Sequence, residues 1–228
     1  MSPVDRLGRF PEQGVHERSA LDDLLDSQWV GVLSTVVDGA PLAVPMLYAR
    51  LGDEVILHGS TGAGALRQVA GGAPAVLTVF ALDALVVAPT TFESSVNYRS
   101  ATIRGRLDQV PHKGDTLDLF SESLIPGRTS EVRASSGKEL AASVALSLRI
   151  EADNWLLKIA ADWPTTPEDS GASDDVWSGL VPVRTILDPA VPAPWAQHLP
   201  VPPSVLRLTG SEDEVVQQQP DRGHSREE

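Results

Sequence analysis

The chain has no cysteine, which excludes disulfide frameworks, iron–sulfur clusters, thiolate zinc sites and cysteine nucleophiles. Basic residues are scarce beside acids: 18 Lys and Arg stand against 31 Asp and Glu, for a formal net charge of -13 and a pI near 4.7. Such a surface lacks the cationic patch that displaces counterions from nucleic-acid phosphates, and it is not drawn to anionic bilayers. Long apolar runs are missing as well. None approaches the roughly 18 residues that span a membrane, and Met1-Ser2-Pro3-Val4-Asp5-Arg6 lacks the apolar stretch of a leader. A cytoplasmic protein acting on neither nucleic acid nor membrane is therefore expected. Neither a Gly-x-Ser-x-Gly elbow nor a His-Glu-x-x-His helix occurs, which leaves hydrolase and zinc-protease chemistry without support. Glu168, Asp169, Asp174 and Asp175 cluster in a polar stretch, where carboxylates are ordinarily solvated, so no metal site is expected.

What is present reads as one well-packed domain, since 228 residues with 42% hydrophobic content can bury a single core. Ser19-Ala20-Leu21-Asp22 predicts a capped helix over 19–27 with Leu21, Leu24 and Leu25 on one face. Two β-rich runs, Trp29 to Val36 and Leu42 to Tyr48, flank Asp38-Gly39, a pair that accepts the positive φ of a tight hairpin. Glu54 to His58 predicts a third strand, and Gly59 to Gly64 lead into a short helix with Leu66 and Val69 inward. Further strands are predicted at Ala75 to Phe80, Ala84 to Ala88, Tyr98 to Val110, Ser143 to Ile150 and Trp155 to Ile159. A helix capped by Asp115 carries Leu117, Phe120 and Leu124. Several strands with only short helices between them predict a mostly β, α+β protein: an antiparallel six-stranded sheet closed into a split barrel. The expected organisation is an N-terminal arm over 1–18, the barrel over 19–160, an acidic and Pro-rich arm over 161–208 and a disordered tail over 209–228. The arm has seven prolines between 182 and 203, with Trp163, Trp177 and Trp195 as anchors on the barrel.

Candidate chemistry gathers at a few strings. Gly59, Gly62 and Gly64 lie between strand and helix, where backbone N–H groups can hold a phosphate. Arg67 is the basic residue of that helix, and Ser60, Thr61 and Thr78 are possible phosphate or ribityl contacts. His58 ends a strand at the presumed mouth, where an imidazole that titrates near neutrality can donate a proton or bind a substrate or ring. Pro45 interrupts a strand, which predicts an edge or a bulge. Asn97-Tyr98-Arg99-Ser100 offers an amide, a phenol, a guanidinium and a hydroxyl at a strand start.

Leu57-His58-Gly59-Ser60, then Phe92 to Ser100, then Gly105, resembles the flavin-nucleotide-binding branch of the pyridoxamine 5'-phosphate oxidase superfamily, near the 5-nitroimidazole reductases. Val132-Arg133, Lys138-Glu139-Leu140-Ala141, the string Val176 to Pro182 and the Pro-rich ending agree, so the resemblance covers about residues 9 to 206. It implies a homodimer with FMN at the subunit interface and a nitroreductase-like oxidoreductase acting on a small molecule. The flavin phosphate would rest on Gly59 to Gly64 and Arg67, the ring and ribityl chain on Asn97 to Ser100, and the substrate against His58. Two basic positions of the family are lost: one is replaced within Ala63, Gly64 and Ala65, and an Arg is missing after Lys158. That loss opens two alternatives. One is a barrel that has exchanged FMN for haem, with His58 on the iron, or for a deazaflavin, or that works without cofactor. The other is a non-enzymatic binding dimer.

Overall fold

The computed structural model describes residues 7–62 and 64–210. Among them, 7–120 with 135–185 form one compact unit and 121–134 with 186–210 another.

The first unit is built on one antiparallel sheet. Its strands are β1 (Gly14–Val15), β2 (Val30–Val37), β3 (Ala40–Leu51), β4 (Glu54–Ser60), β5 (Ala75–Val87), β6 (Ser95–Gly105), β7 (Asp108–Gln109), β8 (Ser143–Arg149), β9 (Trp155–Ala160) and β10 (Gly179–Pro182). They run in the order β1-β9-β6-β5-β2-β3-β4-β8-β7, with β10 added to β5. The split barrel and its α+β class are as the sequence predicts, but the sheet has ten strands rather than six. Three of the additional strands, β1, β7 and β10, span two to four residues, too short to show alternation. Helices α1 (Arg18–Asp26), α2 (Gly64–Ala70), α3 (Lys113–Leu124) and α4 (Gly137–Ala142) connect the strands. The helix α5 (Pro167–Ser170) precedes β10.

Local chemistry explains most boundaries. Asp38 (φ 50°) and Gly39 (φ 80°) both take the left-handed conformation that joins β2 to β3 in a two-residue hairpin. The predicted runs Ala75 to Phe80 and Ala84 to Ala88 are one strand, β5, whose register shifts between Leu82 and Ala84. Asp83 is the extra residue of that bulge, and its polarity is what breaks the apolar pattern in two. The expected capping box at Ser19–Asp22 is absent, because α1 begins one residue earlier after Glu17 with no side-chain cap. Asp115 likewise sits inside the first turn of α3 rather than capping it. A capping box does form at α4, where the Ser136 hydroxyl accepts from the Glu139 N–H and the Glu139 carboxylate accepts from the Ser136 N–H.

Alternation then divides the sheet. Leu33, Leu77, Val79, Ala101, Ile103, Leu146, Leu148 and Leu157 point inward and are almost completely buried, with Leu21, Leu24 and Leu25 of α1 in the same core. Tyr48, also buried, donates from its hydroxyl to the Leu25 carbonyl at 2.6 Å, and burial pushes the phenol well above its ordinary pKa. Tyr48→Phe strands that carbonyl near the end of α1, so chemical denaturation should show a loss of about 1–2 kcal/mol.

The arm is divided between the two units. Residues 161–185 belong with the barrel: β10 pairs with β5, and the Val183 N–H donates to the Asp83 carbonyl at 2.9 Å. Trp163, Trp177 and Trp195 are not the anchors expected, for they are 77%, 66% and 80% exposed. In the second unit α6 (Pro203–Thr209) is held by Glu131, which accepts from the N–H and hydroxyl of buried Ser204. Glu122 accepts from the N–H groups of Gly127 and Thr129 and from the Thr129 hydroxyl. These bonds hold both carboxyls below the usual carboxylate range. Their contribution is present at neutral pH and is lost as the pH falls from about 4.5 through the lower folded pKa, so this unit should loosen first in acid by hydrogen exchange. Of the expected disordered tail, Thr209 ends α6 and Gly210 is its left-handed cap; residues 211–228 lie outside the described residues.

Candidate functional site

The β4–α2 junction is tighter than the sequence suggests. Gly59 and Ser60 are strand residues paired with Val144 and Ser143, not turn residues. The Thr61 N–H donates to the Ala142 carbonyl at 3.0 Å, and the Gly62 N–H donates to Ser60 Oγ at 3.2 Å. Two of the amides expected to cradle a phosphate are thus occupied within the chain. Ala63 lies outside the described residues, and Gly64 opens α2. Arg67 is exposed on α2, with no acidic partner among the described residues. Gly59 serves packing: a Cβ there would stand 2.6 Å from Leu66 Cδ1, and Leu66 is itself buried in the core. Gly59→Ala should therefore lower stability by about 1–3 kcal/mol in a thermal melt, whatever it does to ligand binding.

His58 precedes this junction and shares a face of β4 with Ile56, opposite the core-facing Val55 and Leu57. Phe120 of α3 meets the imidazole edge-on, with ring centroids 4.5 Å apart. Burial lowers the His58 pKa, which keeps the ring neutral at physiological pH. Neither ring nitrogen makes a hydrogen bond to another described residue.

Strand alternation splits Asn97-Tyr98-Arg99-Ser100, which the sequence reading treats as one polar cluster. Asn97 is buried, and its amide both donates to the Asp162 carbonyl (2.9 Å) and accepts from the Asp162 N–H (3.0 Å). Arg99 grips Asp83 with a two-point ion pair, Nη2 to Oδ1 at 2.9 Å and Nε to Oδ2 at 3.1 Å. Both side chains thus have partners within the fold, and they stabilise the β5 bulge and the start of the arm. Tyr98 and Ser100 point the other way. Ser100 stands opposite Phe80 on one side and Lys158 on the other. Lys158 Nζ lies 5.2 Å from the Tyr98 ring centroid.

The outward face therefore collects five of the proposed contacts. Thr78 is paired with Val32 and Thr102, and Val32 with Pro45. Pro45 lies where β3 has β2 as its one partner, since β3–β4 pairing begins at Tyr48; the register runs through without a bulge, so the edge expectation holds and the bulge does not. Around Pro45, Thr78, Tyr98, Ser100 and Lys158 the same face exposes Val30 (51%), Leu47 (45%), Phe80 (59%) and Leu82 (40%). Contiguous exposed apolar faces mark candidate sites for a ligand or another protein.

Sequence reasoning missed Asp83 and Asp162 as partners of Arg99 and Asn97. A lone acid between two apolar runs was a usable sign of a bulge at Asp83. Asp162 acts through a long-range contact that leaves no local pattern. Among the described residues no cluster of three metal-ligating side chains occurs, and no helix is long and apolar enough to cross a membrane.

Residues 17–154 match the family described as pyridoxamine 5'-phosphate oxidase. The structure is similar to that of an FAD and haem binding protein from Mycobacterium smegmatis, with 45% identity and a TM-score of 0.83, covering 86% of this chain and 97% of that one. It is also similar to the flavocytochrome Anf3 from Azotobacter vinelandii, at 26% identity and TM-score 0.82, over 91% and 97% of the two chains. A candidate 5-nitroimidazole antibiotic resistance protein from Bacteroides thetaiotaomicron shares the fold at 15% identity and TM-score 0.53, covering 64% and 86%. No curated protein matches the sequence. A family match over more than half of the chain, on a split barrel shared with a 45% identical structure, places the chain in the pyridoxamine 5'-phosphate oxidase family.

Proposed function

We propose that the protein is a dimeric redox protein that binds FAD and haem, with His58 as the iron ligand and the outward sheet face as the flavin-bearing seam. The observation that carries this reading is His58: a neutral imidazole without a hydrogen-bond partner among the described residues, beside a flat aromatic ring. Neutral imidazole is the form that ligates iron. The 45% identical Mycobacterium smegmatis structure, an FAD and haem binding protein matched over 97% of its length, supports the same pairing.

FAD is taken over FMN on the likeness to the Mycobacterium smegmatis protein; charge does not separate the two, since an internal diphosphate and a terminal phosphate monoester each carry about two negative charges at neutral pH. The chain has lost basic positions beside this junction, and Arg67 is the cation left on α2. On the outward face, Thr78, Tyr98 and Ser100 supply hydroxyl groups and Lys158 an ammonium, with Phe80 as an apolar floor. That set fits a flat ring with a polar edge. When bound, flavin supplies two-electron and haem one-electron chemistry, and the protein's part is to hold, orient and dry them. The exposed apolars Val30, Leu47, Phe80 and Leu82 are covered by a second copy of the chain in this reading.

The absorption spectrum of the purified protein, followed by chromatography of what heat releases, tests the proposal. Flavin bands with FAD in the supernatant and a Soret band that survives gel filtration are expected. FMN or a deazaflavin in the supernatant would correct the cofactor. Colourless protein that also takes up neither added FAD nor hemin would overturn the reading.

A further inference from the structure

Where β2 and β6 end and β3 and β5 begin, the barrel carries a cavity of about 590 Å³. It shares no residue with the proposed flavin contacts, nor with His58 and Phe120. Its walls are aliphatic and stiff. Val36 stands opposite Pro41 across the hairpin, and Pro74 and Val76 flank Ala75 at the start of β5. The two proline rings restrict the backbone at their positions. Buried Thr35 ties β2 to this wall by donating from its hydroxyl to the Pro74 carbonyl at 2.7 Å. Val36 is 61% exposed and leaves the mouth apolar.

Two cations, Arg104 and Arg106, complete the lining. Ile103 and Leu107 face the core, so alternation turns both arginines outward. The Arg104 backbone is pinned on its far side: its N–H donates to the Asn154 carbonyl at 2.8 Å, and the Asn154 amide donates to its carbonyl at 2.9 Å. Arg106 is exposed and makes no ion pair with a described residue. Among the described residues no acid lines the cavity, since Asp38 at the hairpin tip and Asp108 on β7 both lie outside it. The chain as a whole has a formal net charge of -13. Against that background, a cavity with two guanidinium groups and no carboxylate marks a place where an anion is favoured.

We infer that this cavity binds a small organic carboxylate with a flat or branched apolar body. The body rests on Val36, Pro41, Pro74 and Val76, and the carboxylate meets Arg106 and Arg104. A guanidinium holds a carboxylate through two parallel N–H···O bonds. Its apolar stem extends the wall while the charged end stays at the wetter mouth. A monoanion suits the site better than a phosphate ester, because stripping water from a dianion among aliphatic walls costs more and few donors are present to offset it. The volume lies within the range of small-molecule sites. The inference does not rest on the flavin and haem reading and survives its failure.

Isothermal titration of the purified protein with 2-naphthoate tests it, with 2-naphthamide as the uncharged ring and acetate as the bare head group. One naphthoate per chain is expected, bound at least about tenfold more tightly than either partial probe, since apolar burial and charge pairing each contribute. Arg106→Gln should weaken naphthoate about three- to tenfold and leave naphthamide unchanged. Val36→Glu should weaken naphthoate at least about tenfold by setting a like charge at the mouth. Both positions are exposed, so both variants should melt close to the wild type. Naphthoate that displaces bound flavin would place the probe in the cofactor's site, and binding confined to a monomeric chain would give the cavity to a second copy; either result overturns the inference. So would no binding at millimolar naphthoate, or binding that neither variant alters.

Discussion

His58→Gln protein is expected to emerge without a Soret band and to bind hemin at least about a hundredfold more weakly, with its flavin content unchanged. Glutamine fills most of the imidazole's volume against Phe120 but is a poor iron ligand, so the loss would reflect coordination and not packing. The cofactor-free protein offers a second readout. Because burial lowers the His58 pKa from its ordinary 6.5, the folded chain binds fewer protons than the unfolded chain below that pH. Stability contributed by the neutral ring is therefore full above about pH 6.5 and declines as the pH falls from there toward the folded pKa. Urea denaturation at about pH 7.5 and 5.5 should show a smaller difference in His58→Gln than in the wild type. A variant that retains an unshifted Soret band would remove His58 from the iron.

The second large effect concerns the seam. Phe80→Asp places a charge at the centre of the exposed outward face, and in a two-fold interface the change occurs twice. Phe80 is 59% exposed and contributes little to the barrel's own core, so the variant should fold and melt close to the wild type. Sedimentation should nevertheless show monomers where the wild type shows dimers, through a dissociation constant raised at least about a hundredfold by burial of unpaired carboxylates. Flavin should leave with the dimer. A wild-type chain that sediments as a monomer would end the seam reading, and a Phe80→Asp dimer that keeps its flavin would place both contacts elsewhere.

The two effects separate what local sequence encodes from what packing encodes. Alternation, the Asp38-Gly39 hairpin and the run of strands without long crossovers determined an antiparallel barrel, because turn conformation and face burial are decided within a few residues. The order of motifs from His58 to Gly105 was enough to suggest the family. His58 was legible as a candidate because it ends a strand beside glycines. Its neutrality was not, since that comes from burial of the ring in the folded chain, where Phe120, far along the sequence, meets it edge-on. The same period that marked β6 as a strand also divides Asn97 and Arg99 from Tyr98 and Ser100, a consequence available from the sequence itself. Only the tertiary structure supplied their partners, Asp162 and Asp83, through a bulge and an arm that no local pattern reports. Composition likewise recorded how few cations the chain has, while only the folded chain shows where Arg9 and Lys158 meet the Phe10 ring. Faces and turns follow from neighbours along the chain, whereas a site depends on which distant side chains close upon one another, and that is settled by packing.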